Sequence, residues 1–103
     1  MQIYKTPLRE FRFLIEDFLN LKESETLKKL DLETSDLMLI IEEAAKLCEE
    51  TLLPLNQSGD SEGCSFNNGV VTAPKGFKEA YKTFSENGWQ GLKVKEEFGG
   101  QNL

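Results

Sequence analysis

Residues 34–57, TSDLMLIIEEAAKLCEETLLPLNQ, constrain the fold of this chain more than any other stretch. Leu37, Ile40, Ile41, Ala44, Leu47, Cys48, Thr51, Leu52 and Leu55 recur with a helical period over about five turns, while Glu42-Glu43 and Glu49-Glu50 lie mostly to the other side. Thr34-Ser35 reads as the cap, and Asp36 falls in the first turn, where a negative charge suits the helix dipole. Pro54 interrupts the pattern, because an interior proline removes a hydrogen bond and crowds the carbonyl four residues back. The helix therefore either ends near Leu53 or kinks and runs on to Gln57.

A second stripe precedes it. Thr6-Pro7 predicts a helix start with Thr6 as cap and Pro7 in the first helical position. Leu8, Phe11, Leu14, Ile15, Phe18 and Leu19 then follow on one face, and Phe13 falls off it, marking a second contact surface. Lys22 to Glu33 is polar around Leu27, Leu30 and Leu32, and reads as a short helix or an ordered connection. After the main helix, NQSGDSEGCSFNNGVVTAPKG is rich in Gly, Asn and Ser, and Asn68-Gly69 between Ser65-Phe66 and Val70-Val71 carries the signal of a type I′ hairpin. Phe77, Ala80, Tyr81 and Phe84 form a third helical stripe, stopped by Asn87-Gly88. The fold class is mainly α: a partial bundle of about three helices, with a long loop suited to a short β-hairpin. One helical domain spans 1–103 and is incomplete by this reading, with segments 1–33, 34–57 (the main helix), 58–75 (loop and hairpin) and 76–103 (helix and Gly-rich turn).

Composition removes several classes of function. With 12 Lys+Arg against 18 Asp+Glu the net charge is −6, and Lys28-Lys29 is the only adjacent basic pair, so a phosphate-backbone partner is disfavoured. No His is present, which rules out Ser-His-Asp triads and His-ligated zinc within this chain. Cys48 and Cys64 lack the spacing of a zinc or CxxC redox site and read as free thiols with a structural role. No apolar run is long enough to span a bilayer and no secretory leader is visible, so a cytoplasmic setting is the default.

Other patterns invite chemistry and fall short of it. Aligning Gly63 with the obligatory glycine of a calcium loop puts Asp60 and Glu62 at ligand positions, but Ser58 then stands first and Gly69 last, where a bidentate Glu is needed. The glutamate pairs at 42–43, 49–50 and 96–97 point about 100° apart on a helix and form no carboxylate dyad. GWQGL and FGG contain no dinucleotide or P-loop pattern. Phe13, Phe66, Trp89 and Phe98 have no place on the three stripes; either they close the ends of the bundle, or the chain completes its packing against another domain or chain.

Taken together, YKTPLREFRFLIEDFL, IIEEAAKLCEETLLPLNQSGDSEGCSF and GVVTAPKGFKEAYKTFSENGWQGLKVKEEFGGQNL resemble the N-terminal part of the FAD-dependent acyl-CoA dehydrogenases, nearest the subgroup of the 3-methylmercaptopropionyl-CoA dehydrogenases. The chain departs from the family at Val94-Lys95, where a Pro is more usual, and at Asn102, where a Gly is. Both changes bear on the path of the turn and remove no chemical group. The resemblance implies a parent with an N-terminal helical domain, a middle β-domain and a C-terminal helical domain. FAD is bound between the last two, acyl-CoA is the substrate, a C-terminal glutamate is the base, and an electron-transfer flavoprotein takes the electrons. No residue here aligns with that glutamate or with the flavin-contacting loops. The expectation is therefore no catalytic, cofactor-binding or metal residue in this segment, no FAD bound to it alone, and the remaining domains of the parent as its partner. The competing expectation is a stand-alone acidic helical interaction module that self-associates as a homo-oligomer, without nucleic-acid or membrane partners.

Overall fold

The computed structural model describes residues 3–103, mainly helical with one two-stranded antiparallel sheet. It divides into two compact units, Ile3–Glu49 and Glu50–Leu103.

In the first unit, helix α1 (Leu8–Arg12) passes into a π-helical turn, Phe13–Phe18. The widened winding shows in the Leu19 N–H, which donates to the Leu14 carbonyl five residues back at 2.8 Å. The helix begins one residue later than the TP signal predicts. Pro7 is the cap, the Thr6 side chain makes no capping bond, and the Thr6 N–H instead donates to Glu49 Oε1 at 2.7 Å. A 3-10 turn (Leu21–Glu23) and helix α2 (Glu25–Lys29) follow, and α2 buries Leu27. Helix α3 (Thr34–Lys46) is capped by Glu33 rather than Thr34-Ser35; Asp36 accepts the Glu33 N–H at 2.8 Å, closing the first turn.

The core of this unit is Ile15, Leu27, Met38 and Ala45. Met38 and Ala45 lie seven residues apart on one line of α3, about 100° around the helix from the centre of the predicted stripe. The stripe residues Leu37, Ile40, Ile41, Ala44, Leu47 and Cys48 are only half-buried. Periodicity finds an apolar sector but cannot say which edge of it meets α1, and an exposed Arg12–Glu42 ion pair at 3.6 Å joins the two helices.

The second unit opens inside a π-helical turn (Leu47–Leu52), from which helix α4 (Leu53–Glu62) continues. Pro54 neither ends the helix nor limits it to Gln57. It sits in the first turn of α4, where a missing N–H costs nothing, and the preceding wide turn absorbs the ring. The loop expected from residue 58 therefore begins at Gly63, whose φ of 66° closes the helix. Strands β1 (Ser65–Asn67) and β2 (Val70–Thr72) pair antiparallel with Phe66 opposite Val71. Asn68 (φ 49°) and Gly69 (φ 80°) both take the positive φ that a type I′ turn requires. Helix α5 (Phe77–Glu86) buries Ala80 and ends at Asn87, with Gly88 left-handed just beyond, as expected.

Candidate functional site

The chain closes on a Gly-rich turn stitched by backbone bonds. The Gly91 carbonyl accepts from Val94 (3.1 Å) and Gln101 (2.9 Å), the Val94 carbonyl from Asn102 (2.9 Å), and the Leu92 carbonyl from Leu103 (3.0 Å). Gly100 lies so close to this ladder that any Cβ would overlap the Val94 carbonyl. Both departures from the family pattern suit this geometry. Asn102 takes φ 60°, a left-handed conformation that Asn tolerates better than most residues, and Lys95 at φ −60°, ψ 145° occupies proline's own region. The turn lays Gln101–Leu103 back along Gly91–Val94.

Members of the acidic pairs make ion pairs on solvated faces, Glu43 with Lys46 and Glu97 with Lys95 locally and Glu42 with Arg12 of α1. Glu49 does more. Its carboxylate accepts the Thr6 N–H and pairs with Lys5 Nζ at 3.0 Å, fastening the N-terminal segment onto the main helix. The Thr6 N–H and then Lys5 hold its pKa below the ordinary glutamate range, because both favour the charged form. A separation of 43 residues leaves no local signal in the sequence by which this pairing could be found.

Asp60 and Glu62 belong to α4, so no calcium loop forms around Gly63; Glu62 accepts the Lys75 N–H at 3.1 Å and ties the helix end to the segment before α5. Cys48 and Cys64 are free. No group of three or more His, Cys, Asp or Glu among the described residues could hold a metal, and no described helix is long and apolar enough to cross a membrane. Among the described residues, open hollows include one of about 480 Å³ beside Lys22, Leu27, Lys28, Asp31 and Glu33, and one of about 360 Å³ beside Pro74, Lys75, Lys78 and Glu79. Flavin's fused ring needs an enclosed, largely apolar slot, and these hollows with their charged walls do not fit it. No step through a flavin follows from them.

What the chain does present is uncovered apolar surface. Phe13, Phe18, Phe66 and Phe98 are 54%, 71%, 70% and 74% exposed, and all six strand residues of the hairpin are exposed. Only Trp89 of the four unplaced aromatics is half-buried, so closing the bundle ends does not account for the others. The accessible surface is 8270 Å², whereas two separate compact globules sharing the 11.7 kDa equally would expose about 7,100 Å².

No family model matches the chain. It is 37% identical over 101 residues to the 3-methylmercaptopropionyl-CoA dehydrogenase of Ruegeria pomeroyi (strain ATCC 700808 / DSM 15171 / DSS-3), across 97% of its own length. The resemblance drawn from its motifs holds over almost the whole sequence: the chain is similar to an acyl-CoA dehydrogenase, of whose length it spans 17%.

Proposed function

We propose that this chain is the N-terminal helical segment of a flavin-dependent acyl-CoA dehydrogenase that oxidises acyl-CoA thioesters at the α,β positions. The segment itself carries packing surface and no catalytic group. One observation carries the reading: 37% identity along 97% of the chain, against a relative about six times as long. The uncovered aromatics support it, since an apolar layer of this size is what a helical domain offers to the rest of a larger enzyme. In that enzyme FAD would accept the hydride from the β-carbon, held by domains outside this segment, and an electron-transfer flavoprotein would take the electrons onward, in a cytoplasmic setting. The residues here would contribute α3 and α4 as framework, with Glu49 fastening the N-terminal segment and the Gly91–Leu103 turn fixing the direction of the chain.

Reading the source transcript past the codon for Leu103 tests this directly. An open frame of several hundred codons, with a glutamate-bearing helical domain at its far end, is the expected result. A stop codon at once would overturn it and favour the stand-alone interaction module. The purified 103-residue chain should be colourless and should not oxidise acyl-CoA; a stoichiometric flavin spectrum would contradict the assignment.

A further inference from the structure

The sequence holds two Asn-Gly pairs, Asn68-Gly69 and Asn87-Gly88. Asn before Gly is the pairing most open to attack on the Asn side chain by the following backbone nitrogen, because glycine carries no side chain to hinder it. The fold puts the two pairs in opposite circumstances. Asn68 and Gly69 form the tip of the hairpin; both are exposed, and the Gly69 N–H donates to no acceptor among the described residues. Nothing lies within 4 Å of the place a Gly69 Cβ would take. The strands behind them are three residues each and exposed throughout, and a two-stranded hairpin of that size is marginal in water. Gly88, by contrast, is half-buried, and its N–H donates to the Ser85 carbonyl at 3.0 Å. The Asn87 N–H donates to the Thr83 carbonyl at 3.1 Å, closing α5, and the Gln101 side-chain amide lies 3.6 Å from where a Gly88 Cβ would stand.

We propose that Asn68 is a site of spontaneous deamidation and that the fold protects Asn87 from the same reaction. The Gly69 nitrogen, its proton lost to hydroxide, attacks Asn68 Cγ; the new N–C bond closes a succinimide ring, and Nδ2 leaves as ammonia. Water then opens the ring at either carbonyl. One opening gives an aspartyl residue at position 68, the other an isoaspartyl residue in which the main chain runs through the side-chain carbon. One water enters and one ammonia leaves, and nothing is oxidised or reduced. The left-handed conformation of Asn68 (φ 49°) holds the Gly69 nitrogen away from Cγ, so ring closure waits on a local opening of the hairpin. At the tip that opening disrupts a short ladder with no buried side chain, whereas at Asn87 it unwinds the end of α5 and breaks the Gly88–Ser85 bond. Either product adds a negative charge to a chain already at −6. The aspartyl form keeps a sequence suited to the type I′ turn. The isoaspartyl form lengthens the two-residue loop by one backbone carbon, so the strands no longer pair with Phe66 opposite Val71. The hairpin tip is thus an irreversible, uncatalysed timer on strand pairing. The inference is stated for the 103-residue chain and does not rest on the proposed parent enzyme.

Incubating the folded chain at mildly alkaline pH, with brief tryptic digestion of samples taken over time, tests it. Cleavage after Lys46, Lys75, Lys82 and Lys93 leaves Asn68 in peptide 47–75 and Asn87 in peptide 83–93. Fragmentation mass spectrometry should place the mass gain of deamidation at position 68, accumulating at least about tenfold faster than at position 87. The rate at 68 should rise with hydroxide concentration, as attack by a deprotonated amide requires. In concentrated guanidinium chloride both pairs are equally free, and the two rates should agree within about threefold. Part of the product should be a substrate for an isoaspartyl O-methyltransferase, and that fraction should lack the cross-strand NMR contacts between Phe66 and Val71. Asn68→Asp keeps the turn sequence and should leave peptide 47–75 without the mass gain. No conversion at 68, equal rates at 68 and 87 in the folded chain, a bias that survives in denaturant, or an isoaspartyl chain that keeps those contacts would each overturn the inference.

Discussion

Gly59 sits buried in the middle of α4, where glycine is normally the wrong residue for a helix, and Gly59→Ala shows whether packing or propensity governs the second unit. Helix propensity alone favours Ala by about 1 kcal/mol. Against this, a methyl group on Gly59 would overlap Cε1 and Cζ of the Phe77 ring, the first residue of α5. Phe77 is 40% exposed, so its ring can swing outward instead of forcing the backbone apart. Doing so gives up most of about 120 Å² of buried surface, worth about 3 kcal/mol as an upper figure. The net expectation is a loss of about 2 kcal/mol in the stability of residues 50–103. Trp89, the single tryptophan, lies in this unit, so its fluorescence during urea unfolding reads the right transition. Phe77→Ala supplies the control. Without the ring, Gly59→Ala should change sign and stabilise by up to about 1 kcal/mol. If Gly59→Ala stabilises the chain with Phe77 in place, or if its effect is the same in both backgrounds, the close approach does not explain the glycine.

Five further substitutions separate the physical claims made above. Met38, 2% exposed, should cost about 2–4 kcal/mol on truncation to Ala, while its neighbour Leu39, 61% exposed, should cost under about 0.5 kcal/mol, both read by urea melts followed by far-UV circular dichroism. Gly100→Ala should open the terminal turn and strip exchange protection from the Asn102 and Leu103 amides, whereas Asn102→Gly, at φ 60°, should keep that protection and gain up to about 1 kcal/mol. Because the folded pKa of Glu49 is depressed, the stability it contributes is present above the unfolded-state value and lost as pH falls through the lower folded value. Protection of the Thr6 amide should therefore fade on acidification below the ordinary glutamate range, and Glu49→Gln should abolish that pH dependence, both measured by amide exchange.

Legibility in the sequence followed the range of the interaction. The Asn68-Gly69 hairpin and the Gly88 stop are decided by the φ of one or two residues, and both stand where the sequence put them. The start of α1 was displaced where the Thr6 N–H donates to Glu49, 43 residues away, and that of α3 where Glu33 and Asp36 form the capping box in place of Thr34-Ser35. The length of α4 was underestimated because Gly59 and Ser58 look like loop residues. In the fold Ser58 Oγ donates to the Pro54 carbonyl at 3.2 Å, and Gly59 makes room for Phe77. The π-helical turns have no sequence signature, so the wider winding from Phe13 to Phe18 could not be read from a 3.6-residue period.

That last point bears on what the chain is for. A period-based reading assigns Phe11, Leu14 and Phe18 to the core and leaves Phe13 as the exception. The fold keeps all four at least 39% exposed and turns Ile15 alone inward. On α3 the same rotation puts Met38 and Ala45 inside and leaves the longer row Leu37, Ile40 and Ala44 half-covered. In both helices the sequence carries more apolar sector than the unit closes over, and the surplus lies along definite faces rather than scattered. Scattered apolar residues are ordinary on protein surfaces, whereas continuous faces cost solubility unless something covers them.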